Sequence, residues 1–224
     1  MNPLRPVLMF GVLAAAVGCS RHGDAPKVFG ATQTHNYLLR VGQIRAVINT
    51  DNKERIPGMI RGQDVALLDA QATKTEGYMH SLAALDATGV DPEALKFAHN
   101  FADILDAYKS VSLDLAELFR EMKKANVRPP APPANPLLRI KFGSEPPQGD
   151  TIGAVDALLD SIGRMDTTEK TGAVFFKPIV NRVRDDKERL RLAKVAHHEF
   201  TQTLKADLAK RYAGLDWTSK EILP

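Results

Sequence analysis

Cysteine is nearly absent from this chain of 224 residues, which has one, Cys19. No disulfide can form within the chain, so its fold must be held by packing alone. Aromatic residues make up only 6%, with a single tryptophan, Trp217. That leaves little for stacking on bases or sugar rings. Charge of one sign is not in excess either, since the formal net charge is +3. Nucleic acid is therefore not expected as a partner. No apolar run reaches the roughly 20 residues that a membrane-crossing helix needs. The sequence has no Gly-x-Ser-x-Gly, Ser-x-x-Lys or Cys-x-x-Cys-His motif and no glycine-rich phosphate loop. The corresponding hydrolases, c-type haem and nucleotide sites are excluded on that ground. No catalytic residue and no cofactor are expected.

What is present is ordinary for a globular protein, with 44% hydrophobic and 25% charged residues. The length suits one sizeable core.

The N-terminus has its own pattern. Arg5 precedes an apolar stretch from Val7 to Val17, which ends in "AAAVGCS". The stretch is too short to span a bilayer and has the length of a signal-peptide core. With Gly18 before Cys19, it resembles the lipobox of bacterial lipoproteins, although Ala16 stands where that family favours leucine. The resemblance covers residues 1–20 only. It implies cleavage between Gly18 and Cys19, lipidation of Cys19, and a membrane as partner through the N-terminal lipid. Several acyl chains make such anchoring stable. Ser20 resembles the class sorted to the periplasmic face of the outer membrane. The alternative is an ordinary secretory signal with an incidental cysteine. Residues 1–18 are thus read as signal peptide and 19–33 as lipidated cysteine and tether. As a coil, that tether reaches only about 20 Å, so the domain should stay close to the membrane.

Residues 34–224 are expected to form a single domain. Tyr37, Val41, Ile44 and Ile48 recur at helical spacing, and this first helix should stop near Pro57 and Gly58. A second helix, from about Met59 to Ala87, carries Val65, Leu68, Ala72, Thr75, Met79 and Leu82 on one stripe, with Gly89 as C-cap. The third has Asp91 as N-cap and Pro92 and Glu93 in its first turn. Its heptad stripe is Ala98, Phe101, Leu105, Tyr108, Ser112, Leu115, Phe119 and Met122. Such a stripe packs at a shallow crossing angle, as in bundles.

The segment 127–150 is rich in proline and reads as an extended connection, with Leu137–Phe142 as a short piece laid on the bundle. A fourth helix, from about Thr151 to Met165, should turn Ile152, Val155, Leu159 and Ile162 inward. The last should begin near Pro178 and run to about Ala213, with Ile179, Val183, Leu190, Ala193, His197, Phe200, Leu204 and Leu208 inward and Asp186 as a polar gap. Trp217 should fold back on the bundle. The expected fold is all-α: an elongated antiparallel helical bundle of about five helices with a Pro-rich crossover.

Charge favours one neighbour relation. Residues 86–118 hold seven acids and two lysines, whereas residues 177–213 hold ten bases and five acids. These two helices should pack together. A basic face for anionic headgroups is the competing use of the last helix.

The stretch "HHEFTQ" comes close to a zinc-peptidase signature. His198 and Glu199 fit, but Gln202 stands where the second histidine belongs. His197 lies on the apolar stripe and reads as a core histidine satisfied by one hydrogen bond; His198 and Glu199 read as solvated. Glu76 with His80, and His99 with Asp103, are pairs at spacing four, and His80 and His99 would be the first candidates to complete a site. The motif is incomplete, so no metal ligand is assigned. The function expected is a non-enzymatic, membrane-anchored envelope lipoprotein with an envelope protein partner. The alternative is a carrier of a small ligand or metal between its helices.

Overall fold

The computed structural model describes residues 29–128, 150–165, 172–219 and 222–223. Gly18, Cys19, most of the Pro-rich connection and the piece 137–142 lie outside the described residues. The described residues are all helical or loop, with no strand among them. Helix α1 spans Ala31–Thr50, and a turn of π-helix, Asp51–Arg55, joins it to α2, Ile56–Gly62. The helices α3, Val65–Ala83, α4, Pro92–Lys124, α5, Thr151–Gly163, and α6, Gly172–Arg211, follow. Because α1 continues into α2, the described residues form five rods.

Pro57 therefore does not end the first helix. A proline clashes with the carbonyl four residues back in a regular helix, and the wider π turn just before Pro57 relieves that clash. The break comes instead at Gln63, whose left-handed φ of 51° reverses the chain. Asp64 then caps α3, its side chain accepting from the Leu67 N–H at 3.1 Å. Helix α3 stops at Ala83, short of the expected Ala87, so Gly89 is not its cap. Gly89 uses its φ of +70° in the turn that leads into α4. The last helix starts before Pro178, at Gly172, so the proline sits within its first two turns.

Helix α4 lies between α3 and α6, which supply most of its contacts. All eight residues of its expected stripe are buried, from Ala98 to Met122. Ala94, Phe97, Ile104, Val111 and Leu118 widen the buried face. Of the stripe on the last helix, Ala193 and Phe200 are partly covered and the other six are buried. On α5 it is Leu158, rather than Leu159, that is buried with Ile152, Val155 and Ile162.

The opposite charges of the two longest helices meet across their interface. Asp91 pairs with Arg211, Asp106 with Arg189, and Asp114 with Arg182. Residue numbers rise along α4 as they fall along α6, so the two run in opposite directions. Lys109–Glu76 and Arg120–Asp69 show the same for α4 and α3. Trp217 folds back and is buried, donating from Nε1 to the Tyr212 carbonyl at 3.0 Å.

Asp91 closes the end of the bundle where the described chain begins. Its carboxylate is buried, caps α4 through the Glu93 N–H at 2.9 Å, and accepts from Arg211 and from the Tyr212 hydroxyl. Asp91→Ala removes a cap and two side-chain bonds, and should lower stability by about 3 kcal/mol. Glu93→Ala, which leaves that carboxylate in place, should cost less than about 0.5 kcal/mol. Urea unfolding of the two variants at pH 7 measures the difference.

Candidate functional site

Chemistry-bearing side chains gather where the π turn, α3, α5 and α6 converge. The π turn brings two consecutive polar residues, Asp51 and Asn52, into the interior. Asp51 receives Lys74 at 2.7 Å, Gln71 at 3.3 Å and Arg55 at 3.4 Å. The bond to Asp51 holds the Lys74 ammonium above the usual lysine range. Asn52 fixes the first residue of α5, its side-chain oxygen accepting from the Thr151 N–H at 3.3 Å and its carbonyl from the Thr151 hydroxyl at 3.2 Å. Next to Thr151, Asp150 pairs with Lys194 of α6 at 2.8 Å, while its Oδ1 is buried without a hydrogen bond. Burial, with the charge of Asp150, raises the Tyr108 hydroxyl well above its ordinary range.

The acids in this cluster are spent on lysines. Tyr108 stays protonated. The arrangement locks the π turn to α3 and α5 to α6. Sequence reading missed the cluster. Its partners from different elements are 20 to 99 residues apart, and each looks like a surface residue in its own element.

His197 lies farther along α6. It is 6% exposed, as its stripe predicts, with ring centroids 4.5 Å from Phe97 and 5.8 Å from Phe101. The single hydrogen bond expected for it is missing, because neither ring nitrogen has a partner. Burial first, then the positive charges of Arg45 and His198, depress its pKa to about 4. The ring is neutral at pH 7. Thr201, buried one turn on, bonds to the His197 carbonyl at 2.7 Å and does not reach the ring.

The other flagged residues stand apart. His198, Glu199 and Gln202 are exposed. Glu76 pairs with Lys109 at 3.0 Å, and His80 is exposed. His99 is exposed and its Nδ1 bonds to the Leu95 carbonyl at 2.9 Å. Among the described residues no three His, Cys, Asp or Glu side chains are grouped to hold a metal, and no helix is long and apolar enough to cross a membrane.

A cleft of about 1120 Å³ opens at the other end of the bundle, between the α2–α3 turn and the end of α4. Arg61, Asp64, Asp69, Lys123, Asn126 and Arg128 line it, with Phe119 and Val127. It is half open, with polar and apolar surface in about equal share. Asp64 and Asp69 are engaged by the α3 cap and by Arg120.

Replacing His197 by leucine removes two buried, unbonded nitrogens. That relieves about 1–3 kcal/mol and forfeits roughly 0.5–1.5 kcal/mol of ring stacking. His197→Leu should therefore stabilise the fold by about 1 kcal/mol at pH 7. His198→Ala should shift stability by less than about 0.5 kcal/mol. Melts with and without chelator, with elemental analysis of untagged protein, check both. Zinc lost along with stability in either variant would make "HHEFTQ" a metal site.

No family model matches the chain, and no curated protein or solved structure is significantly similar to it.

Proposed function

We propose that the chain is a lipid-anchored protein of the bacterial cell envelope that acts by holding another protein and not by catalysis. The observation that carries this reading is the apolar run Val7–Val17, which closes on "VGCS". The architecture is compatible with it. The Gly30 N–H donates to the Gly89 carbonyl at 2.9 Å, so the described chain begins beside the α3–α4 turn, about a dozen residues after Cys19. Helix α4, of 33 residues, runs about 50 Å from that turn. With Cys19 in the membrane, the α3–α4 turn lies near the bilayer and the α2–α3 turn points away from it.

The partner-binding reading is supported by the outer face of α6. Leu192 and Val195 are 53% and 44% exposed, three residues apart, among charged neighbours. Apolar residues within a charged rim are the usual composition of a modest protein interface. The carrier alternative needs an enclosed apolar pocket with a few convergent polar groups. The cleft at the α2–α3 turn is half open to solvent and lined as much by polar as by apolar surface.

Labelling cells with an alkyne analogue of palmitate should mark the wild-type protein and leave Cys19→Ser unmarked. Equal labelling of both removes the anchor from this reading. In-cell crosslinking followed by purification should recover a specific envelope protein with the wild type, and less of it with Leu192→Asp/Val195→Asp.

A further inference from the structure

The cleft between the α2–α3 turn and the end of α4 is walled by two helix ends that close in the same way. At the end of α2 the Asp64 N–H donates to the Met59 carbonyl at 3.0 Å and the Gln63 N–H to the Ile60 carbonyl at 3.2 Å. At the end of α4 the Val127 N–H donates to the Met122 carbonyl at 2.9 Å and the Asn126 N–H to the Lys123 carbonyl at 3.1 Å. Gln63 and Asn126 take the left-handed backbone, with φ of 51° and 53°, that this closure uses. Carbonyls of both last turns are thereby engaged. The acids beside the cleft are engaged as well. Asp64 caps α3, Asp69 accepts from Arg120 at 2.5 Å, and Glu121 accepts from Lys124 at 2.7 Å.

Three cations on the same walls are not matched. Arg61 comes from the last turn of α2, Lys123 from the last turn of α4, and Arg128 from the chain just beyond it. All three are exposed. Among the described residues none of them has a carboxylate within ion-pair distance. Val65 and Val127, both partly buried, supply apolar surface beside them. One lysine in the last turn of a helix is ordinary. Three unpaired cations from three segments around one concavity leave a surface short of negative charge.

Size and position select what would fill it. The cleft holds about 1120 Å³ and is half open, against roughly 300–1,000 Å³ for enclosed small-molecule pockets. A compact anion would leave most of it wet. Charges from separate segments suit carboxylates spaced along a chain, and the valines suit an apolar side chain between them. We propose that this cleft docks an acidic peptide segment of a partner protein, with Arg61, Lys123 and Arg128 pairing with its carboxylates. The proposal rests on the reading of the chain as one that holds another protein, and it names that partner's chemistry. Under that reading the cleft faces away from the bilayer, about 50 Å along α4 from the Gly30–Gly89 contact. A protein is within reach there and a lipid headgroup is not.

NMR of the purified full-length protein, titrated with a short peptide of Glu-Leu-Glu-Ser repeats, tests this. Amide shifts should move at residues 61–66 and 123–128 and hold still along the rest of α4 and α6. Affinity should fall about ten-fold between about 50 mM and 300 mM NaCl. It should also fall about ten-fold in Arg61→Glu/Lys123→Glu/Arg128→Glu. Arg40→Glu/Lys53→Glu/Lys210→Glu, which reverses three exposed cations elsewhere, should bind as the wild type does. Absence of shifts at the cleft, equal weakening in both triple variants, or an equal response to inorganic phosphate or to vesicles of anionic phospholipid overturns the proposal. The wild-type shift map decides the matter even where a variant unfolds. A partner recovered by in-cell crosslinking and undiminished in the cleft variant overturns the docking site and leaves the partner reading standing. Peptide bound at the cleft of a protein that crosslinks to nothing supports the site and removes that reading.

Discussion

The whole arrangement depends on α4 being buried along its length. With one cysteine in the chain there is no covalent brace. The heptad stripe of α4 therefore has to be covered on both sides, by α3 and by α6, for any part of the bundle to be stable. A side chain such as Phe97 or Leu115, each with no exposed surface, contributes on the order of 2 kcal/mol by leaving water. The ion pairs along the α4–α6 seam add little of that energy, because exposed pairs are worth about 0–1 kcal/mol each. Their value lies in direction. An acidic α4 against a basic α6 disfavours alternatives in which two acidic surfaces meet, and Asp91 with Arg211 marks the end of the register.

Polar groups organise the other side of the bundle. Asn52 holds the start of α5 through two hydrogen bonds, Asp150 joins α5 to α6, and Asp51 joins the π turn to α3. A hydrophobic stripe tolerates sliding by a turn; a paired buried carboxylate does not, since a slip leaves a charge in the interior. The α3–α4–α6 layer thus supplies most of the apolar burial, and the polar contacts of the π turn and α5 fix the position of the remaining helices on it.

How much of this is legible in the sequence depends on the range of the signal. Asp91 as cap, the eight stripe positions of α4 and the return of Trp217 all follow from periodicity or from residues within a few positions of each other. The sign of charge on α4 and α6 is a regional property and is equally readable. The element ends are not. Pro57 and Pro178 are strong breakers as single residues, but a π turn accommodates the first and the opening turns of a long helix accommodate the second. The left-handed break at Gln63 has no glycine to announce it. Around the near-signature, helical periodicity is enough to put His197 in the core and His198 and Glu199 on the surface, where they lie. It does not tell whether the buried ring finds a partner. The buried cluster around Asp51 leaves no local trace, because its partners come from other elements.

His197 and Asp51 show two outcomes of burying a polar group. Asp51 is surrounded by three donors, so the cost of its desolvation is offset at the same point where it is incurred. His197 has no such partner, and a neutral imidazole costs less to bury than a charged side chain. A carboxylate or an ammonium in its place would have to be neutralised or paired.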